Sequence, residues 1–440
     1  MRIPGTVSTL LELLTENGYE AYVVGGCVRD TLLGLTPHDW DICTSASPEE
    51  MMTVFADYPV IETGIKHGTI TVTSDGMPIE ITTFRTDGEY KDHRHPDSVV
   101  FVKTLQEDLA RRDFTVNAMA YHPKCGLQDP FGGREDLAQR VLRCVGNAEQ
   151  RFCEDALRIL RGLRFAATYG FIPEEETSAA LLQCAPLLTS VSEERVQAEL
   201  CRMLIGDYIG DVLQKYYTVL FPVLPEWKAC EHFEQFSPYH DRDVLEHTIT
   251  AIAGAVPDLL VRLTLLLHDI GKPLCFSKDE KGNGHFFGHA KISEEMAGDI
   301  LRRLRFDTKT IHDVCVLIRH HDTIIEQNEV CVKRWLNRLG QDLFETLILV
   351  KDGDCKGHAP CLLEPRMTEL AELCRLKEKI IEESQCFSLK DLAINGTDIM
   401  RLGFTGKAVG EQLQWALLEV IEQRLPNDKE TLLAAVSKKA

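Results

Sequence analysis

Two aspartates one residue apart, Asp39 and Asp41, closely follow a glycine pair, Gly25 and Gly26. Residues i and i+2 of a strand point to the same face, so both carboxylates would project together and could hold two Mg²⁺ ions about 3.5–4 Å apart. The glycines let backbone N–H groups approach a triphosphate, and Arg29 offers a donor fork for phosphate oxygens. Either feature alone fits a tight turn or solvated aspartates, but together they indicate nucleotidyl transfer.

Short alternating segments are predicted to position these groups. The apolar run Ala21–Val24 predicts a buried strand before the glycines, and Asp39–Cys43 predicts the next strand. The turn Ser74-Asp75-Gly76 predicts a hairpin between strands Thr69–Thr73 and Ile79–Phe84. The first part of the chain is therefore predicted to be a mixture of strands and helices.

The remainder of the chain is predicted to be helical. From about Asn147 onward, strand signals fade and patterns with a period of 3.6 residues continue to the C-terminal region. Three prolines, Pro222, Pro225 and Pro238, mark a boundary near residues 225–240. At 440 residues the chain exceeds the size of one core, and its length suggests about three domains.

Composition indicates an ordinary globular protein, with 44% hydrophobic and 26% charged residues. No apolar run approaches the ~18 residues of a membrane span. The first residues lack the apolar core of a signal peptide, so we expect a cytoplasmic protein without a membrane partner. The fifteen cysteines are scattered without a CxxC pair, which argues against a disulfide framework and a zinc ribbon.

A net charge of −20 argues against strong non-specific binding of nucleic acid. Basic residues are nevertheless concentrated in one stretch, where they could form a phosphate-binding strip on an acidic body. The arginines of this stretch are Arg111, Arg112, Arg134, Arg140, Arg143, Arg151, Arg158, Arg161 and Arg164.

An ordered set of motifs accompanies the glycines and aspartates. They are Gly64–Thr69, Ile79–Arg85 with Glu80, Arg94-His95-Pro96, Arg111–Ala118 and Glu154–Phe165. As a set they resemble the class II tRNA nucleotidyltransferases, the bacterial CCA-adding enzymes, and their poly(A) polymerase relatives. The resemblance covers residues 20–205 closely, and the segment 392–427 resembles the C-terminal tail of the same family.

The resemblance implies a role for each matching residue. Asp39 and Asp41 would bind Mg²⁺, and Glu80 would add a third catalytic carboxylate. The nucleotide-binding residues would be Gly25, Gly26, Arg29, Arg112, Asp155, Arg158, Arg161 and Arg164. The implied reaction adds C, C and A to the 3′ end of tRNA from CTP and ATP, without a nucleic-acid template and with release of pyrophosphate.

Asp155 and Arg158 are expected to read the base. If both lie on one helix, positions i and i+3 share a face. A carboxylate only accepts and a guanidinium only donates, which matches the donor–acceptor edge of cytosine and adenine. Uracil and guanine present the reverse pattern and would leave buried groups unpaired, at a cost of roughly 1–3 kcal/mol each. The alternative is an ordinary surface salt bridge.

A second constellation of histidines and aspartates lies in the helical region. A lone histidine is more often a packing residue than a ligand, but here the order H…HD…H…H…D resembles the HD-domain metal-dependent phosphohydrolases. That resemblance implies a metal site formed by His247, His268, Asp269, His289, His320 and Asp354, with His321 an open alternative to His320. Imidazole and carboxylate ligands suit a transition metal such as Mn²⁺, Co²⁺ or Ni²⁺.

These expectations define an α+β fold: a nucleotidyltransferase head with a mixed β-sheet, an all-α neck and body, an all-α HD domain and a helical tail. The predicted boundaries are 1–142 for the head, 143–239 for the neck and body, 240–360 for the HD domain and 361–440 for a tRNA-binding tail. No feature specifies an oligomeric state or the substrate of the HD domain.

Two other functions remain open at this point. The first is an A-adding enzyme or a poly(A) polymerase, which the motifs Gly64–Thr69 and Ile79–Arg85 favour less than CCA addition. The long polar segment Arg85–Asp97 resembles the loop associated with the switch to A, and it argues against an enzyme that adds C alone. The second is an HD phosphohydrolase whose head only binds RNA, against which the intact Asp39 and Asp41 count.

Overall fold

The computed structural model describes residues 1–87, 99–237, 239 and 241–439. The predictions for Arg94-His95-Pro96 and most of the segment Arg85–Asp97 lie outside these residues. The chain divides into two compact units, Met1–Pro225 and Glu226–Ala440. In the described ranges, no helix has both the length and the apolar character needed to cross a membrane.

The first unit contains a seven-stranded sheet with strand order β3-β4-β5-β2-β1-β8-β9. Strands β2 and β5 pair in parallel and the other neighbours pair antiparallel, so the mixed sheet predicted for the head is confirmed. The strands of this sheet are β1 (Ala21–Val24), β2 (Asp41–Thr44), β3 (Val60–Ile61), β4 (Thr69–Ser74), β5 (Met77–Thr83), β8 (Ala120–His122) and β9 (Gly126–Gln128). Two smaller pairs join β6 (Arg85–Asp87) to β7 (Val99–Phe101) and β10 (Val141–Leu142) to β11 (Ile172–Pro173).

The described residues of the first unit also form ten α-helices. They are α1 (Gly5–Glu16), α2 (Gly26–Leu32), α3 (Pro48–Val54), α4 (Leu105–Ala110), α5 (Gly133–Gln139), α6 (Ala148–Glu154), α7 (Leu157–Tyr169), α8 (Glu175–Gln183), α9 (Glu193–Leu204) and α10 (Ile209–Tyr216). A capping box of Ser47 and Glu50 begins α3. The predicted hairpin turn also forms, with Asp75 and Gly76 both at positive φ.

A buried apolar cluster lies between the sheet and the segments that follow it. Val24 of β1, Cys43 of β2 and Ala120 of β8 pack with Phe84 and Leu109, and none of the five is more than 1% exposed. These contacts fix the ends of β1 and β2, where the glycine pair and the aspartates are attached.

The second unit is almost entirely helical. Its helices are α11 (Val244–Gly254), α12 (Leu259–Leu267), α13 (His289–Arg303), α14 (Thr308–His320), α15 (Glu329–Leu339), α16 (Gln341–Gly357), α17 (Pro360–Glu382), α18 (Gly396–Arg401), α19 (Lys407–Ile421) and α20 (Lys429–Ser437). One short hairpin, β12 (Ser277–Lys278) with β13 (Gly284–His285), interrupts the helices and departs from the all-α expectation for this region.

Candidate active site and metal centre

The sheet brings two of the three predicted catalytic carboxylates side by side. Asp41, the first residue of β2, pairs in register with Glu80 of the parallel neighbour β5. Directly opposed residues project to the same face of a sheet, so their carboxylates are neighbours. Asp39 lies two residues earlier in an exposed position just outside β2, although the sequence predicted it inside the strand.

Asp41 carries the clearest electrostatic signature of this site. Burial, followed by repulsion from the charges of Asp39 and Glu80, raises the pKa of Asp41 to about 6, against the opposing effect of Arg112. An oxygen-only donor set under mutual repulsion is suited to Mg²⁺. Within the described residues, only groups in the second unit place three donor atoms within 4.8 Å of one another. The looser arrangement here is typical of Mg²⁺, which keeps waters and uses one or two carboxylates together with substrate phosphates.

Gly25 has a backbone conformation that favours glycine, and the guanidinium of Arg112 lies close to it. Its φ is +80°, and a Cβ at this position would lie 2.9 Å from Nη1 of Arg112. The turn thus brings the predicted phosphate cradle and Arg112 together directly before α2, which begins at Gly26. Burial would lower the pKa of Arg112, but the charges of Asp108 and other neighbours outweigh it and raise that pKa.

Arg29 is placed differently from the simple phosphate fork that its position suggested. It is 6% exposed, with Nη1 donating to Oδ1 of Asn117 at 2.6 Å and Nη2 donating to the hydroxyl of Tyr169 at 2.9 Å. Its guanidinium also lies over the Phe165 ring, 5.0 Å from the centroid. Arg29 therefore joins the glycine turn to α7, and a role in phosphate binding stays a prediction.

The expectation that Asp155 and Arg158 share one helix is wrong. Asp155 has extended backbone angles, φ −137° and ψ 103°, between α6 and α7. Its Oδ1 accepts a hydrogen bond from the N–H of Leu157 at 3.1 Å, a local turn that competes with helix continuation. Its Oδ2 accepts from Nη2 of Arg195 at 2.8 Å, so the carboxylate is held from two directions.

Arg158 lies inside α7 and is 8% exposed. Its Nη1 contacts Oε2 of Glu154 at 2.8 Å, and its Nη2 donates to the carbonyl of Arg111 at 3.0 Å. Asp155 and Arg158 therefore contact other partners and do not form a surface salt bridge with each other. Each member of the predicted pair has its own anchor, and neither Glu154 nor Arg195 was singled out from the sequence.

The remaining arginines of α7 are also paired with acids. Arg161 donates to Asp113 at 2.9 Å, and Arg164 donates to Glu199 of α9. Burial would raise the pKa of Asp113, but Arg161 and the other hydrogen bonds outweigh it and hold that pKa well below its usual range. The arginine strip is thus largely charge-balanced within the protein, which agrees with the negative net charge.

The second unit gathers most of the HD constellation into one buried cluster, which we call the HD centre. His247 comes from α11, His268 and Asp269 directly follow α12, His289 begins α13, and Asp354 lies on α16. Nε2 of His247 lies 3.0 Å from Oδ1 of Asp354 and 3.2 Å from Nε2 of His268. Oδ2 of Asp269 is 3.2 Å from Nε2 of His268, while its Oδ1 is 3.4 Å from Nε2 of His289.

His321, and not His320, enters the HD centre. The Nε2 atoms of His321 and His289 are 3.2 Å apart, and the His321 side chain is buried. His320 instead packs edge-on against Trp335, with ring centroids 4.9 Å apart. The difference arises at the end of α14, where Nδ1 of His321 bonds back to the carbonyl of Ile318. The sequence left His320 and His321 as alternatives, and the orientation of these two side chains at the end of α14 places His321 in the HD centre.

Backbone carbonyls orient three of the imidazoles. Nδ1 of His268 lies 2.7 Å from the Leu265 carbonyl, and Nδ1 of His289 lies 2.9 Å from the Phe286 carbonyl. The same contact is made by His321. A carbonyl can only accept, so each Nδ1 carries the proton and each Nε2 points into the centre, as in metal-binding histidines.

The charges of the HD centre also fit a cation. Burial would lower the pKa of His268, but Asp269 and Asp354 outweigh it and raise that pKa to about 10. Metal binding would therefore displace a proton from this histidine. Nζ of Lys272 lies 2.6 Å from Oδ2 of Asp269, a further partner that sequence reasoning missed although it follows Asp269 by only three positions.

Known proteins match the chain in four regions. The matching family models are described as "Poly A polymerase head domain" over residues 21–143, "Probable RNA and SrmB-binding site of polymerase A" over 170–230, "HD domain" over 245–354 and "tRNA nucleotidyltransferase domain 2 putative" over 362–436. Head and body thus define a nucleotidyltransferase of the poly(A) polymerase class that also carries an HD domain.

Individual relatives narrow this class. A CCA-adding enzyme of Geobacillus kaustophilus is 48% identical over 49% of this chain, and the match spans 53% of that relative, about half its length. A CCA-adding enzyme of Bacillus cytotoxicus is 34% identical over 96% of this chain and 95% of the relative. The crystal structure of a Bacillus stearothermophilus CCA-adding enzyme in complex with CTP is 28% identical, has a TM-score of 0.70, and covers 100% of this chain and 98% of that one. The chain belongs to the family of CCA-adding enzymes.

Acidification should weaken Mg²⁺ binding at the head. With the pKa of Asp41 at about 6, a proton competes with Mg²⁺ below that pH, whereas an ordinary aspartate would stay ionised. Because this pKa is raised, its contribution to metal-free stability is present below the unfolded value and lost as pH rises through about 6. We expect Mg²⁺ to raise the melting temperature more at pH 7 than at pH 5.

The matched control for this measurement is Asp41→Asn, which is uncharged at both pH values and should reduce the pH dependence of the Mg²⁺-induced shift. An equal Mg²⁺-induced shift at pH 5 and pH 7 in the unsubstituted protein would mean that Asp41 is not a ligand.

Proposed function

We propose that this protein adds C, C and A to the 3′ end of tRNA, using CTP and ATP and no nucleic-acid template. The observation that carries this proposal is the juxtaposition of Asp41 and Glu80 on the sheet, next to the Gly25 turn and Arg112. Membership in the CCA-adding family supports it. The intact carboxylate site argues against a head that only binds RNA.

The reaction is attack of the tRNA 3′ oxygen on the α-phosphorus of the nucleotide. A new P–O bond forms, the bond to the β-phosphate breaks, and pyrophosphate leaves. Mg²⁺ bound at Asp39 and Asp41 would lower the pKa of the attacking hydroxyl and offset charge on the phosphates. The glycine turn leaves space for the triphosphate, while Arg112 contributes positive charge beside it.

Base selection is assigned to Asp155 and Arg158. Arg195 and Glu154 hold the carboxylate and the guanidinium in place, so the protein can present one acceptor and one donor to the base edge. A pre-oriented pair discriminates because a mismatched base leaves buried polar groups unpaired.

Replacing either reader should relax nucleotide choice. Asp155→Ala or Arg158→Ala should reduce the preference for CTP and ATP over UTP and GTP by about 5- to 150-fold, equal to roughly 1–3 kcal/mol for one lost recognition edge. The preference is measured as a ratio of kcat/KM values. Glu175→Ala and Arg202→Ala, which remove exposed charges from α8 and α9, serve as controls. Unaltered nucleotide selectivity in both variants would show that Asp155 and Arg158 do not take part in base recognition.

The nucleotide requirement itself tests the proposed function. A tRNA ending at its discriminator base should gain two residues with CTP alone, none with ATP alone and three with both. An A-adding enzyme would require a tRNA that already ends in CC, and a poly(A) polymerase would extend with ATP alone.

A second activity is favoured by the HD centre. Four imidazoles with Nε2 facing inward and two carboxylates form a donor set suited to a transition metal such as Mn²⁺, Co²⁺ or Ni²⁺. Such ions, when bound, activate water for attack on phosphate esters. His247, His268, Asp269, His289, His321 and Asp354 are the proposed ligands, and phosphoester hydrolysis is the proposed activity.

The two proposed activities are assigned to different domains. Residues 1–142 form the proposed catalytic head, 143–239 the neck and body, 240–360 the HD domain and 361–440 the tRNA-binding tail. Support comes from family matches that begin near 21, 170, 245 and 362. A cytoplasmic location is also proposed, because the fifteen cysteines are scattered in the sequence without a CxxC pair.

A further inference from the structure

A fully buried carboxylate, that of Asp108 on α4, binds two consecutive arginines in the head. Nε and Nη2 of Arg111 donate to its Oδ1 at 3.0 Å and 2.8 Å, and Nη2 of Arg112 donates to its Oδ2 at 3.4 Å. Burial would raise the pKa of Asp108, but the charges of Arg112 and Arg111 outweigh it and lower that pKa. Asp108 therefore carries its negative charge inside the protein.

The two oxygens of Asp108 have different partners. Oδ1 accepts from Arg111 and also from the backbone N–H of Arg85 at 3.3 Å, at the start of β6. Oδ2 accepts from Arg112. The contacts of Oδ1 fix the carboxylate against the chain on two sides, so Oδ2 is an acceptor of fixed position for the Arg112 guanidinium.

Arg112 extends from Asp108 to the proposed active site. A Cβ at Gly25 would lie 2.9 Å from Nη1 of Arg112, so the guanidinium lies against the turn proposed to hold the triphosphate. Burial and Asp39 raise the pKa of Asp41, and the charge of Arg112 opposes them. Of the carboxylates that raise the pKa of Arg112 against burial, Asp108 has the largest effect and Asp41 the next. Arg112 is thus attracted by two carboxylates, and more strongly by Asp108.

The balance between these two attractions matters because Asp41 is a proposed Mg²⁺ ligand. A guanidinium paired with an aspartate occupies the carboxylate oxygens that would bind Mg²⁺, so the two cations compete. The same pairing would use donors of Arg112 that a triphosphate requires. An Arg112 side chain that stays on Asp108 leaves both groups available to the nucleotide and its metal.

We infer that Asp108 is a positioning residue for nucleotide addition, which holds Arg112 away from Asp41 so that Arg112 meets the triphosphate and Asp41 meets Mg²⁺. The inference rests on the proposed transferase function and adds to it a residue that acts through Arg112. Because the triphosphate and the metal are common to CTP and ATP, Asp108 supports the addition of both nucleotides alike and has no part in base selection.

Asp108→Asn tests this role with a small change of structure. The amide has nearly the shape of the carboxylate, and its oxygen can still accept from Arg111 and from the N–H of Arg85. Its NH₂ group replaces Oδ2 and can only donate, so it cannot bind the guanidinium of Arg112. Arg112 should then pair with Asp41.

The expected result is a higher requirement for Mg²⁺. The Mg²⁺ concentration for half-maximal addition of C and of A should rise by about tenfold or more, the effect of one hydrogen bond between charged groups. Excess Mg²⁺ competes with Arg112, so kcat should recover at saturating Mg²⁺ and nucleotide, while the preference for CTP and ATP over UTP and GTP should not change. Asp108→Glu, which keeps the charge on a longer side chain, should need less Mg²⁺ than Asp108→Asn.

Arg112→Gln distinguishes positioning from general structural support. Once the guanidinium is removed, adding Asp108→Asn should change the Mg²⁺ requirement by about twofold or less, because the competing cation is absent. Lost structural support would raise the requirement in both backgrounds. Asp136→Asn is the matched control, since Asp136 is a buried carboxylate of the same unit that pairs with Arg143 at 3.2 Å. It should leave the Mg²⁺ requirement unchanged.

Binding without chemistry separates this inference from the proposed function. Equilibrium dialysis of labelled CTP against the full chain, without tRNA, measures how CTP binding depends on Mg²⁺. If the wild type fails to extend tRNA, but Asp108→Asn raises the Mg²⁺ needed for CTP binding only when Arg112 is present, the proposed function fails and the positioning role stands. If Asp108→Asn keeps the wild-type Mg²⁺ requirement, or raises it equally in the Arg112→Gln background, the positioning role is overturned.

Discussion

Asp39→Ala and Asp41→Ala should each abolish the addition of both C and A to tRNA. In the proposed mechanism one metal site serves both nucleotides, so the two activities should fall together, by about 1000-fold or more in kcat, equal to about 4 kcal/mol of transition-state stabilisation. Incorporation of labelled CTP into tRNA lacking CCA, and of labelled ATP into tRNA ending in CC, measures the two steps separately.

These variants should remain folded, for a reason specific to this site. Asp39 is exposed. Asp41 is ionised at pH 7, although burial and the charges of two neighbouring carboxylates disfavour its negative charge and raise its pKa to about 6. Asp41→Asn should therefore leave the unfolding free energy of the metal-free protein equal to or above that of wild type at pH 7. Asp57→Ala, an exposed aspartate elsewhere in the head, is the control. Near-normal incorporation with Mg²⁺ in either alanine variant would refute the assignment.

The double change His268→Ala/Asp269→Ala should remove both bound transition metal and phosphohydrolase activity while sparing CCA addition. The proposed metal ligands His268 and Asp269 lie in a compact unit that does not contain Asp39 and Asp41. Mixed imidazole and carboxylate ligands also suit a different ion from the oxygen-only site of the head. Metal analysis, ester hydrolysis and tRNA extension on one preparation measure all three properties.

A milder pair of variants controls for loss of folding. Without Asp269, the buried Lys272 loses its carboxylate partner, which costs roughly 3–5 kcal/mol when one member of a buried ion pair is removed. His321→Ala removes one proposed ligand without removing that carboxylate and should lose metal. His320→Ala, at the adjacent position that packs on Trp335, should retain it. Loss of tRNA extension in a folded His321→Ala protein would show that the two activities are coupled.

The sequence was most informative where function depends on local spacing. Gly25 and Gly26 form the turn at the start of α2, and the parallel pairing of Asp41 with Glu80 places two predicted carboxylates together. The mixed sheet and the helical body follow from periodicity, which local sequence encodes directly. The HD motif likewise identified most of the HD centre.

The sequence was least informative where a side chain depends on distant partners. Arg29 and Asp155 are held by Tyr169 and Arg195, which are 140 and 40 positions away. No local pattern reveals such contacts. The break in helix at Asp155 was missed because its side chain caps the following turn, and an aspartate inside a helical pattern gives no warning of this. The choice between His320 and His321 depended on rotation at the end of α14, which spacing alone leaves open.

Sequencing the 3′ ends formed from one tRNA in the presence of all four nucleoside triphosphates tests the central claim most directly. The account predicts that a tRNA ending at its discriminator base acquires C, C and A in that order and then stops, with UMP and GMP rarely incorporated. Products that carry runs of A, or that are extended only when the tRNA already ends in CC, would contradict it.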